Sequence, residues 1–130
     1  MVKDLKQRGM LDKTIVHWGG EIGRLPVIED RGSLKKSGRD HNGQGFSMWL
    51  AGGGIKPGIT YGNTDDFGHH AVENIVTPND YQATLLHQFG LDWRKLVYHH
   101  NGREEIITNH RPASVIAGIQ SRPPAIAEDS

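Results

Sequence analysis

Apolar and charged positions alternate over Val2-Lys3-Asp4-Leu5-Lys6-Gln7-Arg8 as in the last turns of a helix, and Gly9 stands just past its end. No Ser, Thr, Asp or Asn cap precedes it, so the helix reads as one that begins in a larger parent protein. Thr14-Ile15-Val16-His17-Trp18 is a β-branched and aromatic run, expected as a buried strand, with Glu21 just beyond its C-terminal end. Glu29 to Gln44 is polar and Gly-rich, hence a long loop. Phe46, Met48 and Leu50 alternate with Ser47, Trp49 and Ala51, a second strand closed by Gly52-Gly53-Gly54, and Ile59-Thr60-Tyr61 is a further short segment.

The strongest helix signal is Thr77-Pro78-Asn79-Asp80: Thr77 as cap, Pro78 in the first helical position, Asp80 completing a capping box. Tyr81, Leu85 and Phe89 form an apolar stripe expected to face a core, and Gly90-Leu91 closes the helix. Val97-Tyr98-His99-His100, Asn101-Gly102 and Arg103 to Ile107 spell a hairpin. The tail from Ser121 to Ser130 is expected to be unstructured.

Composition narrows the function classes. The 130 residues suit one domain, and the apolar fraction with glycine counted is ordinary for a globular chain. Fifteen Lys+Arg balance fifteen Asp+Glu, which argues against a dedicated nucleic-acid binder. No apolar run approaches the roughly 20 residues of a membrane span, and Met1 to Gln7 does not read as a secretory signal. With no Cys and eight His, any transition-metal site has to be built from imidazole and carboxylate.

Several chemical templates are missing. Gly52-Gly53-Gly54 lacks the spacing of a dinucleotide or phosphate loop, and neither a His-Glu-x-x-His pair nor a Gly-x-Ser-x-Gly elbow occurs. Glu21 with Asp40-His41-Asn42 is a candidate ligand set for a divalent ion; the plainer alternative pairs Glu21 with Arg24 and leaves His41 an ordinary loop residue. His69-His70 and His99-His100 are not expected to chelate, because adjacent side chains diverge in most backbones and face opposite sides of a strand. His87 reads as a helix-surface or core-edge residue, and Lys35-Lys36 as solvated loop charge.

A resemblance adds to these readings. It is carried by Asp4-Leu5-Lys6-Gln7-Arg8-Gly9, Trp18-Gly19-Gly20-Glu21-Ile22-Gly23-Arg24, Gly38-Arg39-Asp40-His41-Asn42, Met48-Trp49-Leu50-Ala51-Gly52-Gly53-Gly54, Tyr61-Gly62-Asn63-Thr64-Asp65 and Ala71-Val72-Glu73-Asn74. In this order they resemble the C-terminal part of sulfatase-like proteins of uncharacterised function in the alkaline phosphatase superfamily. The segment Asp80 to Leu86, ending in Gly90-Leu91-Asp92, is similar to the late helix of sulfatases. The resemblance implies that residues 1–110 are the C-terminal segment of such a domain and 111–130 an extension. The implied fold is α/β: part of a three-layer alkaline-phosphatase-like fold, with a mostly parallel sheet, flanking helices and a hairpin.

The resemblance further implies a divalent metal ion, zinc, calcium or similar, held by Glu21 and His41 and completed by ligands outside this chain. It implies an anionic sulfate or phosphate ester as substrate, with Arg24, Asp40 and Asn42 on the substrate side; Arg24 would use its planar fork. Ile22 stands where related enzymes commonly carry His, and the nucleophile is expected upstream of Met1. The expectation is therefore the C-terminal portion of a metal-dependent ester hydrolase, inactive alone. The alternative is a non-catalytic structural or binding module derived from that fold.

Overall fold

Ten positive-φ glycines punctuate the chain, and the elements between them are correspondingly short. The computed structural model describes residues 1–30, 32, 33, 35 and 37–121; Lys36 and the tail beyond 121 lie outside the described residues. In chain order the helices are α1 (Val2–Gln7) and α2 (Pro78–Gln88). The strands are β1 (Val16–Trp18), β2 (Gly23–Arg24), β3 (His41–Asn42), β4 (Trp49–Ala51), β5 (Asn63–Thr64), β6 (Ala71–Glu73), β7 (Val97–His100) and β8 (Arg103–Ile106). The chain divides into two units, Met1–Val16 with Ala51–Ile59 and Val76–Ser130, and His17–Leu50 with Thr60–Ile75.

In the first unit α1 ends at Gly9, in the left-handed region at φ 67°, as the sequence requires. Gly52 and Gly53 lie against the Leu11–Ile15 segment, with the Gly53 N–H on the Leu11 carbonyl at 3.0 Å. A Cβ on Gly52 would collide with the carbonyl oxygens of Leu11 and Thr14, and one on Gly53 with the Ile15 side chain. Both also have positive φ, so glycine is demanded twice over.

Helix α2 begins with the expected capping box. Thr77 Oγ1 accepts from the Asp80 N–H at 3.1 Å, and Asp80 Oδ2 accepts from the Thr77 N–H at 2.9 Å. One face of α2 then carries a ladder of polar side chains at i, i+4 and i+8. Asp80 Oδ1 accepts from the Ser114 N–H (2.8 Å), Thr84 Oγ1 from the Ile116 N–H (2.9 Å), and Gln88 Oε1 from Gln120 Nε2 (2.8 Å). Gln88 Nε2 also donates to the Gly53 carbonyl at 2.8 Å. Among the described residues Tyr81, Ala83, Val16, Ile55 and Ile116 are the buried apolar ones, and Thr84 is also buried. The expected Tyr81/Leu85/Phe89 stripe is therefore only partly a core face. Tyr81 is buried, but Phe89 is 66% exposed, because the packed face centres on the Asp80/Thr84/Gln88 ladder.

The β7–β8 pair is an antiparallel hairpin with Val97 opposite Ile106, and Asn101 and Gly102 (φ 49° and 74°) supply the two positive φ values of its turn. In the second unit β2 pairs antiparallel with β3, Arg24 opposite His41, and β5 with β6, Thr64 opposite Ala71. Strands β1 and β4 pair with each other.

The expected α/β architecture is not found. In place of a mostly parallel three-layer sheet, the described residues form separate two-stranded pairs, and β2–β3, β5–β6 and β7–β8 are antiparallel. A parallel pair needs a crossover of a dozen or more residues, usually a helix; here α2 is the longest helix and follows β6 without a parallel strand to return to. The Thr14–Trp18 run is shortened to Val16–Trp18, and of these only Val16 is buried. Ile59-Thr60-Tyr61 forms no strand. Among the described residues no helix is long and apolar enough to cross a membrane.

Burial raises the Asp80 carboxyl pKa, but hydrogen bonds from the Thr77 side chain and the Thr77 and Ser114 N–H groups outweigh it and hold the pKa below its ordinary 3.8. A lowered folded value means that this stabilisation is complete above the ordinary value and lost as pH falls through the lowered one. Urea unfolding should show Asp80→Asn destabilised by about 1–2 kcal/mol at pH 7, with the difference shrinking as the wild-type carboxyl is protonated.

Candidate metal centre

Six residues, Asp65-Asp66-Phe67-Gly68-His69-His70, join β5 to β6. The Asp65 N–H bonds the His70 carbonyl at 2.9 Å and closes the loop, while the Gly68 N–H bonds the Asp65 carbonyl at 2.9 Å. Gly68 lies at φ 69°, a conformation that favours glycine. The Asp65 carboxylate fills the centre of the turn: Oδ1 accepts from the His69 N–H at 2.8 Å and Oδ2 from the His70 N–H at 3.0 Å. Consecutive N–H groups pointing at one carboxylate cannot belong to an extended strand. This curvature brings the two adjacent imidazoles to the same side.

The rings meet edge to face, with centroids 4.2 Å apart and planes at 87°. His69 Nδ1 lies 2.9 Å from His70 Nδ1, which lies 3.3 Å from Asp65 Oδ2. One donor atom from each of the three side chains fits within 4.8 Å of the others. With both rings in the Nε2–H tautomer, the two Nδ1 lone pairs and the Asp65 oxygen converge, and one cation would satisfy them together. Donors at 2.0–2.1 Å from a tetrahedral zinc sit roughly 3.3 Å apart, close to the spacings at His70. The His69 N–H holds the Asp65 carboxyl below the usual carboxylate range, assisted by the His70 N–H and ring and the Phe67 N–H against the opposing effect of desolvation. The acid is thus kept as the anion a metal needs.

Beneath the loop lies Asn42, 2% exposed and the one fully buried side chain among the described residues of this unit. Its Nδ2 donates to the His69 carbonyl at 2.8 Å and the Gly45 carbonyl at 3.2 Å, and its Oδ1 accepts from the Gln44 N–H at 2.9 Å. The Ala71 N–H bonds the Gln44 carbonyl at 2.8 Å. The 42–45 turn is therefore a cradle for the backbone that carries both histidines. On its outer side the loop borders an open depression of about 740 Å³ lined by Leu25, Pro26, Val27, Asp65, Asp66, Phe67, His69 and His70.

The residues expected from the sequence, Glu21, Arg24, Asp40, His41 and Asn42, lie on and beside the β2–β3 pair. Glu21 is exposed in the turn before β2, and His41 is exposed on β3, facing Arg24 across the pair. The Arg24 guanidinium donates to the Arg39 carbonyl at 3.1 Å, and Asp40 Oδ1 accepts the His41 N–H at 2.7 Å. Asn42, expected on the substrate side, has its amide engaged by backbone within the unit. His99 and His100 lie on a strand as expected, but the expectation that His69 and His70 diverge is overturned by the Asp65-centred turn. A signal existed: Asp followed three residues later by Gly marks a tight turn, and the two histidines come directly after it.

A family model described as "Protein of unknown function (DUF1501)" matches residues 1–119 of the chain, which therefore belongs to that family. No curated protein and no solved structure matches it. The sequence resemblance to sulfatase-like proteins of the alkaline phosphatase superfamily is corrected accordingly, since no family model of either kind matches.

Removing the Asn42 amide would leave the part-buried carbonyls of Gly45 and His69 without this donor. Asn42→Ala should cost about 2 kcal/mol in denaturant unfolding, and hydrogen exchange of the amides of residues 69–71 should accelerate more than that of β7–β8.

Proposed function

We propose that this member of the DUF1501 family is a divalent-metal-binding module, with zinc held by Asp65, His69 and His70. The observation that carries the proposal is the convergence of two neighbouring Nδ1 atoms, 2.9 Å apart, beside a carboxylate oxygen whose anion the turn stabilises. Imidazole and carboxylate are suitable ligands for zinc. The composition of the second unit adds weight: its fully buried side chain is an amide, its chain contains no Cys, and no apolar side chain among its described residues is fully buried. Small units without a substantial core commonly depend on a staple such as a metal.

Three protein ligands leave a position for a fourth, and the ligand set borders the depression. That open position favours a second reading, metal-assisted hydrolysis of an ester, in which the ion would lower the pKa of a bound water. Turnover of 4-nitrophenyl acetate, phosphate or sulfate by the zinc-loaded protein, lost in Asp65→Ala, would support it; no turnover of any of them removes it.

Calorimetric titration with zinc should give one site per chain and a raised melting temperature. Asp65→Ala, His69→Ala and His70→Ala should each weaken binding by about tenfold or more, whereas His99→Ala should leave it unchanged. Glu21→Gln and His41→Ala discriminate between sites: unaltered affinity assigns the ion to the 65–70 loop, and lost affinity in these variants alone assigns it to the pair expected from the sequence.

A further inference from the structure

The metal reading leaves open what occupies the fourth position, and the walls of the depression address that question. Leu25, Pro26, Val27 and Phe67 supply its apolar side, with Val27 63% and Phe67 81% exposed. Its charged lining residues are Asp65 and Asp66, and no Lys or Arg lines it among the described residues. Arg24, next in sequence to the lining Leu25, donates its guanidinium to the Arg39 carbonyl. A doubly charged ion beside Asp65⁻ and Asp66⁻ therefore leaves the site near electrical neutrality. Sites that select dianionic phosphate or sulfate instead surround it with Arg, Lys or helix N-termini.

We infer that the fourth position takes a ligand with one oxygen donor group for the ion and a small apolar body for the Leu25/Pro26/Val27/Phe67 wall, in preference to a phosphate or sulfate group. This rests on the metal reading above. If the site hydrolyses esters, it confines them to uncharged ones. Phe67 lines the same depression as Asp65, His69 and His70, so a donor on the ion can direct a short substituent toward its apolar side. Burying the substituent against the ring and Val27 removes apolar surface of both from water.

Cobalt(II) substitution gives a visible spectrum that reports the ligands of the ion. The cobalt-loaded chain is titrated with acetate, phenylacetate and inorganic phosphate. The first two share a carboxylate donor and differ in the apolar body. Phenylacetate should bind about tenfold tighter than acetate, and phosphate more weakly than phenylacetate. Phe67→Ser should bring the two carboxylates close to equal affinity, while Ile75→Ser, an exposed apolar residue of the same unit outside the depression, should leave their ratio intact. Asp66→Lys should strengthen phosphate binding. Equal affinity of the two carboxylates for the wild-type chain, or phosphate binding as tight as phenylacetate, overturns this inference and leaves the metal site standing. Failure of cobalt to bind at all overturns the metal reading and this inference with it.

Discussion

The buried amide of Asn42 is the constraint on which the second unit depends. Its four hydrogen-bonding positions are an acceptor oxygen with two lone pairs and two N–H donors; both donors and one acceptor position are used, on Gly45, His69 and Gln44. A polar group taken out of water is costly unless its bonds are made, so the amide fixes the 42–45 turn and the His69 backbone relative to each other. The loop bearing Asp65, His69 and His70 is held from below by this amide and from within by the Asp65 carboxylate. Metal ligands need such support, because orientation decides affinity as much as identity does.

The first unit solves a related problem in the same manner. Asp80, Thr84 and Gln88 form a ladder on one face of α2 and tie down the 114–120 segment, accepting from the backbone N–H groups of Ser114 and Ile116 and from the Gln120 side-chain amide. In both units, directional polar bonds fix irregular chain where a regular sheet would have used ladder hydrogen bonds. The glycines at 52 and 53 serve the same end by letting backbone approach backbone.

Local chemistry was legible in the sequence and long-range pairing was not. The Gly9 helix end, the Thr77–Asp80 capping box and the Asn101-Gly102 hairpin each follow from residues within a few positions of one another, and each is present. The parallel sheet failed because the Thr14–Trp18 run carries β propensity without information on its neighbours, and propensity in strands reflects context. The convergence of Asp65, His69 and His70 was missed for a similar reason. The rule that adjacent side chains diverge holds for an extended backbone, whereas the Asp65 carboxylate, four and five residues upstream, bends this one. The role of Asn42 depends on a contact 27 positions away, to the His69 carbonyl, which no local pattern encodes.

The direct measurement is long-range ¹H–¹⁵N NMR of the eight histidine rings while zinc is added, since it resolves both the residue and the ring nitrogen. The account predicts large ¹⁵N changes at Nδ1 of His69 and His70 at one equivalent of zinc, with His17, His41, His87, His99, His100 and His110 unmoved. Changes at His41 or the hairpin histidines in their place, or coordination of His69 and His70 through Nε2, would contradict it.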